Sequence, residues 1–521
     1  MPVLLRSRGV SSPRGGTRDK KSFPIASSPD SGGVLKGHSR GRKMGGQPAW
    51  FLFRTALLFA ALCVVYFFFV AVHYDDQSED TTFDGNDHGV DSALSEASLE
   101  LIQQSAAKIH DKDFTELLQK LKNEKEEYRH MFKPKKSLYK KFDKNKPTTA
   151  AQDLIKRDKK GNIMYKPITS ISIEDLGKLG IKGGSDAAKG VTYDQAIKGR
   201  EQLMDIIHEA GIVEIDVASI LSLPKWSSVT KLYGDTPVVL GLERCSEFHD
   251  EVKFPAWDAS LGTAGLFNTG TNPFAMYLEQ NCKLPKNKSD KAGGTRWQVP
   301  WGKHTFASLR LQNTAGREAK TNKETVMPIV MVRDPYSWMQ SMCKHPYEAR
   351  WPHSKMCPNL GYVEKPGRLR FRQNARKRPM VKSVSVNVRY KPVRHFDSLA
   401  HFWLEWYKEY LEADYPRLIV RFEDIQFHAK EVIDIICQCA NGVPRKDDAI
   451  FRYVVDSAKW GAAHPDRSTN MVTAMIKYGS DKDRFKGMRE ADKIVASSVL
   501  TSEVMELFGY EVPEFTANPA F

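Results

Sequence analysis

The sequence predicts an α/β protein: a central parallel sheet flanked by helices, carried behind a single membrane span and a stem. Three observations predict it. Pro328-Ile-Val-Met-Val332 and Leu418-Ile-Val-Arg-Phe422 are short apolar runs, as strands buried on both faces of a parallel sheet require. Strand-like runs alternate with helix-period segments from residue 192 to residue 521. Thr55 to Val72 is an eighteen-residue apolar stretch without a charge.

The formal charge of +15 is local rather than general. Residues 1–48 carry +8 and residues 365–396 carry +11, so the rest of the chain sums to −4. Residues 1–48, rich in Ser, Gly, Arg and Lys, read as a disordered basic cytosolic tail. Residues 49–72 read as a transmembrane signal anchor. Basic residues precede the span, whereas Asp75, Asp76, Glu79, Asp80, Asp84, Asp87 and Asp91 follow it. The positive-inside rule therefore predicts a type II orientation with a lumenal C-terminus.

Residues 73–191 read as a stem. Leu99, Ile102, Ala106, Ile109, Phe114, Leu117, Leu118 and Leu121 recur at threes and fours, predicting an amphipathic helix over Leu99–Phe132. Such a helix suits either homo-oligomerisation or packing onto the globular domain. Residues 192–521 form that domain. Its predicted helices cover Tyr193–Ala210, Phe306–Thr314, Leu399–Ala413, Glu431–Cys439 and Glu490–Phe508. Of the seven cysteines, Cys63 lies in the span, and the six beyond it permit lumenal disulfides. Cys343 and Cys357, fourteen residues apart, are expected to pair, with Cys245–Cys282 as the second pair. No repeated C-x-x-C has zinc-ligand spacing, so no metal is expected. Asn287-Lys288-Ser289 is a glycosylation sequon.

The chemistry concentrates at two strand-to-helix junctions. Leu261 to Phe267 is small and apolar, Asn268-Thr269-Gly270-Thr271-Asn272 is a run of turn-formers and hydroxyls, and Pro273 opens a helix. A strand, a glycine-bearing turn and a helix start make an anion site, because unpaired N–H groups and the helix dipole point into the turn. The same letters also fit an ordinary capped helix. At the second junction Arg333 ends a strand and Ser341 follows eight residues later. An Arg fork and a hydroxyl beyond the carboxyl end of a strand suit a terminal phosphate.

Together these residues resemble the sulfotransferases that use 3′-phosphoadenosine 5′-phosphosulfate. Leu266-Phe-Asn-Thr-Gly-Thr-Asn272 is similar to their 5′-phosphosulfate loop, and Arg333-Asp334-Pro335 with Ser341 to their 3′-phosphate motif. Leu418-Ile-Val-Arg-Phe-Glu-Asp424 resembles the strand carrying their aromatic-Glu-Asp turn. With the anchor, the chain looks like the Golgi membrane, carbohydrate-directed branch. The resemblance implies a P-loop-like sheet and in-line sulfuryl transfer to a hydroxyl of a glycan or polysaccharide, without metal. It implies that Asn268, Thr269, Gly270, Thr271 and Asn272 bind the phosphosulfate while Arg333 and Ser341 hold the 3′-phosphate. Arg484 and Lys486 are further candidates for the nucleotide. The family usually has Lys where this chain has Asn268, and Lys303 is the candidate substitute cation. His304, in Gly-Lys-His, is the candidate general base, with Glu279 on the first helix as runner-up.

Rival readings are specific. A lumenal glycosyltransferase would use Asp481-Lys-Asp483 as its metal site, but no apolar strand adjoins it. A nucleotide kinase would need Gly-Lys-Ser/Thr in the first loop, which is absent. A membrane-anchored glycan-binding protein that kept the fold is the third. Behind a membrane anchor, the basic insert 365–396 suits an anionic polysaccharide better than nucleic acid, with a plain solvated loop as the third reading.

Overall fold

The computed structural model describes residues 112–131, 136–141, 156–157, 163–165, 168–178, 181, 188–251, 259–284, 293–316, 320–364, 380–456 and 470–517. The basic tail, the span, the acidic segment 73–97, the first part of the stem helix, the sequon and basic residues 365–379 lie outside them. Among the described residues no helix is long and apolar enough to cross a membrane.

Five strands build the central sheet: β1 (Val239–Leu240), β2 (Ser260–Gly265), β3 (Thr295–Arg296), β4 (Val326–Val332) and β5 (Leu418–Arg421). Their order is β1-β5-β4-β2-β3. The four strands from β5 to β3 run parallel, while β1 pairs antiparallel with β5. The sheet is thus mixed where a parallel one was expected, because an apolar run reveals burial but not direction. Every residue of β2 and β4 is buried. β2 is flanked by β3 on one side and β4 on the other, so the chain reverses its winding between β2 and β4. Gly265 and Met331 are paired in register there, so the segments leaving both strands emerge side by side.

Helices follow these strands directly: α2 (Thr271–Asn281) after β2, α3 (Pro335–Lys344) after β4, and α5 (Phe422–Phe427) after β5. The preceding α1 (Lys112–Met131) buries Phe114, Leu118 and Leu121, and Lys122 and Lys125 bond to Glu506 and to the carbonyls of Glu506 and Leu507. Its apolar positions therefore go to packing on the domain, one of the two uses expected of them.

The helix α4 (Leu399–Leu411) holds the junctions in place. Leu399, Phe402, Trp403, Trp406, Tyr407 and Tyr410 are fully buried on it. Burial of such side chains contributes about 1.5–3 kcal/mol each, provided their polar tips find partners. Those tips find main-chain carbonyls near the carboxyl ends of the strands. Trp403 Nε1 donates to Arg333 O at 3.1 Å, Tyr407 Oη to Met331 O at 2.8 Å, Trp406 Nε1 to His304 O at 3.2 Å and Tyr410 Oη to Thr305 O at 3.0 Å. One aromatic helix thus satisfies carbonyls of two different loops.

Three expected helices are shorter or broken. Tyr193–Ala210 divides at Gly199, whose φ of 77° is left-handed, into Tyr193–Ile197 and Glu201–Glu209. Glu490–Phe508 divides into α7 (Glu490–Val499) and Ser502–Leu507. Of Phe306–Thr314 only a 3-10 turn, Ala307–Leu309, forms.

Cys343 and Cys357 are joined, as expected. Cys245 and Cys282 are not joined to each other: Cys245 pairs with Cys439 and Cys282 with Cys437. The helix α6 (Ala429–Cys439) supplies both partners, and Val443–Pro444 then pairs with Cys282–Lys283, bringing the end of α6 against the end of α2.

Candidate functional site

After β2, Leu266 and Phe267 lead into a turn in which Asn268 and Gly270 are both left-handed, at φ 62° and 77°. Asn is among the few side-chain-bearing residues that tolerate this region. Thr269 is fully buried and its hydroxyl donates back to Leu266 O at 2.8 Å. Gly270 caps α2, and a Cβ there would stand 2.2 Å from the Phe422 ring. The turn can therefore close against Phe422 only with glycine. The first N–H groups of α2 precede any intrahelical acceptor and face the turn with the helix dipole behind them.

After β4, Arg333 lies with 3% of its surface exposed. Its Nη1 donates to Asn268 O at 2.7 Å, its Nε to Ser337 Oγ at 3.3 Å and its Nη2 to Ser337 O at 3.2 Å. The guanidinium stands 5.1 Å from the Phe422 ring centre and 4.6 Å from that of Tyr478. Asp334 caps α3 by accepting from Ser337 N at 2.8 Å. Ser341, half-buried on the next turns, bonds back to Ser337 O at 3.4 Å. The Asn268 amide donates to His345 O at 2.8 Å, beyond the end of α3. The Asn268 side chain thus ties the first loop to the far end of the second junction.

The third component is the segment before Phe306. Gly265 N donates to Lys303 O at 2.9 Å, which lays this segment along the end of β2. Lys303 is 6% exposed; its Nζ donates to Asn272 Oδ1 at 3.0 Å and sits 4.0 Å above the Trp297 ring. Burial pushes its pKa down to about 7, while the ring face and the amide oxygen favour the ammonium. His304 Nδ1 is 2.6 Å from Gly265 O. A carbonyl can only accept, so in the neutral ring Nδ1 carries the proton and the acceptor lone pair is on Nε2.

Asn268 to Asn272, Lys303, His304, Arg333 and Ser341 are thus brought together, and three expected residues are not. Glu279 is exposed, eight residues along α2 from Thr271. Arg484 is buried in ion pairs with Asp334 at 2.7 Å and Glu511 at 3.0 Å, supporting the cap of α3 from behind. The Lys486 side chain is exposed near Asp483, and only its carbonyl meets α3, at Gln340.

Glu423, Phe422, Tyr478, Trp297 and Tyr347 also belong to this region, although the sequence marked only the Phe-Glu-Asp turn. Glu423 is fully buried and accepts from Asp334 N and Tyr510 Oη, both at 3.1 Å. Burial first, then the charge of Asp334, raises its pKa to about 7. No side-chain pattern announces Trp297; it enters because the ring lies under Lys303.

Among the described residues, no group of three or more His, Cys, Asp or Glu side chains is placed to hold a metal ion. No protein-family model, curated protein or solved structure matches the chain.

Proposed function

We propose that the chain transfers a sulfuryl group from 3′-phosphoadenosine 5′-phosphosulfate to a hydroxyl of a glycan or polysaccharide, on the lumenal side of the Golgi membrane. The observation that carries this reading is the Arg333–Asn268 bond of 2.7 Å, which joins the two phosphate-type motifs at the winding reversal of the sheet. Thr269, Gly270, Thr271 and Asn272 offer the first-turn N–H groups of α2 to the 5′-phosphosulfate. The Thr269 hydroxyl is already bonded inward, so backbone rather than side chain serves there. Arg333 and Ser341 face the 3′-phosphate. The three disulfides, which pair every cysteine outside the span, fit an oxidising secretory compartment.

In the transfer step the acceptor oxygen forms a bond to sulfur as the bond from sulfur to the 5′-phosphate oxygen breaks. The acceptor proton passes to His304 Nε2, and the leaving phosphate keeps the electron pair. Charge growing on that phosphate meets the α2 N-terminus and the Lys303 ammonium, the cation available beside a loop that has Asn at position 268.

Calorimetry with adenosine 3′,5′-bisphosphate, followed by a transfer assay with radiolabelled donor, tests this on the full-length protein in detergent. Micromolar binding with label transferred to a polysaccharide is expected. Failure to bind the bisphosphate removes the reading, and binding without transfer to any glycan moves it to a glycan-binding descendant of the fold.

A further inference from the structure

Tyr347 is a bulky residue in the left-handed region, at φ 52°, and it is 38% exposed. A left-handed backbone costs a non-glycine residue about 1–2 kcal/mol, and such strain persists where surrounding structure imposes it. Here the imposition is visible. Two residues earlier, His345 O is held by the Asn268 amide at 2.8 Å, and Arg350 Nη1 donates to Tyr347 O. The Tyr347 ring stacks on Phe267, with centroids 5.4 Å apart and planes 11° apart, and Tyr390 stacks on Phe267 at 6.4 Å and 19°. The His304 ring leans on the same Phe267 at 4.7 Å. Phe267 thus contacts the rings of Tyr347, Tyr390 and the proposed base His304, and Tyr347 among them is solvent-facing.

The surrounding charge is positive. Lys344, Arg350, Arg389 and Lys391 are exposed in the segments 344–350 and 386–391, which contain Glu348 as their single acid. Arg389 N donates to Glu348 O at 3.0 Å, so the two segments lie together. A flat aromatic face suits the C–H face of a pyranose, and a cationic rim suits a sugar polymer with carboxylates.

Resting on the sulfotransferase reading, we infer that Tyr347 is the platform on which a pyranose ring of an acidic glycan stacks, presenting a hydroxyl toward His304. The strained turn sets the platform, and the Asn268 amide couples its position to the nucleotide loop.

Saturation-transfer NMR on the full-length protein in detergent, with an unsulfated chondroitin hexasaccharide and neutral cellohexaose as probes, tests this. Chondroitin should bind through one face of a ring, and more tightly than cellohexaose. Tyr347→Gly, which relieves the backbone strain while removing the ring, should weaken chondroitin about tenfold, without lowering the melting temperature. Tyr347→Trp should retain it. Unchanged chondroitin binding in Tyr347→Gly, or no binding of either probe by the wild type, overturns the platform; equal affinity for both probes overturns its acidic preference. Bisphosphate calorimetry on the same samples separates the two readings, since nucleotide failure with chondroitin binding intact removes the transferase and leaves the platform.

Discussion

The Arg333 guanidinium donates to the Asn268 carbonyl at 2.7 Å, so the residue ending β4 grips the loop that follows β2. Phe422, the first residue of the helix after β5, lies against this pair: its ring faces the guanidinium at 5.1 Å and excludes any side chain at position 270. Three successive strand ends of one sheet therefore interlock through three residues, and each is separately testable.

Arg333→Lys keeps the charge and loses the fork. An ammonium on a flexible stem cannot serve Asn268 O, Ser337 and a phosphate at once. Bisphosphate affinity should fall at least about tenfold, near 1.4 kcal/mol, in calorimetry. Unchanged affinity would make Arg333 a strut between the loops and nothing more.

Gly270→Ala places a methyl 2.2 Å from the Phe422 ring at a φ of 77°. Overpacking and left-handed strain together should destabilise the fold by about 2–4 kcal/mol, read as a lower urea midpoint. Trimming the ring in a Gly270→Ala, Phe422→Leu double variant should recover the packing part alone.

These junctions were legible in the sequence because their signals are local. Apolar runs ended in turn-formers at Phe267 and Val332, and helix starts followed within a few residues. What was not legible depends on long-range closure. Trp403, Trp406, Tyr407 and Tyr410 read as an aromatic helix, but nothing in their spacing says that their polar tips reach the carbonyls of Arg333, His304, Met331 and Thr305. Arg484 looked like a phosphate ligand because a basic residue in a charged loop reads the same whether it meets a ligand or Asp334. The Cys245–Cys282 pairing failed for the same reason, since α6 brings the partners to both, from separations of 194 and 155 residues.

The disulfides give a graded stability prediction. Removing Cys343–Cys357, which closes a separation of 14, should destabilise by about 3 kcal/mol on chain-entropy arguments, and removing Cys282–Cys437, with a separation of 155, by about 5. Thermal melts of the two double Cys→Ser variants should rank in that order. Loss of the shorter link should also weaken bisphosphate binding, because the intact link fixes the end of α3 near Ser341.

Lys303 predicts a pH dependence with a definite sign. Its folded pKa, about 7, is below the unfolded value of 10.5. Between these values the unfolded chain holds more protons, so this group makes stability rise with pH over that window, and the contribution is lost as pH falls through about 7. An anion at α2 favours the ammonium. Bisphosphate binding near pH 8 should therefore take up a proton, seen as a calorimetric enthalpy that varies with buffer ionisation enthalpy. Lys303→Met should abolish the uptake and flatten the stability profile. Asn268→Lys in that background should restore part of the turnover. Proton uptake unchanged in Lys303→Met would assign it elsewhere and remove Lys303 as the substitute cation.

The base assignment turns on a single hydrogen bond. Gly265 O fixes the proton on His304 Nδ1, at 2.6 Å, which in the proposed transfer leaves Nε2 as the nitrogen to take the acceptor proton. Glu279, the other candidate, is exposed on α2 and, among the described residues, has no such orienting partner at the loop. His304→Ala should lower turnover by about 10²–10⁴ while leaving bisphosphate affinity within twofold, since the proposed nucleotide contacts lie on α2, Arg333 and Ser341. His304→Gln keeps a donor for Gly265 O but offers no basic nitrogen, so it should fold like the wild type and still lose the rate. Glu279→Gln should be silent. Wild-type turnover in His304→Gln, with loss in Glu279→Gln, would transfer the role to Glu279 and require the first helix to move before chemistry.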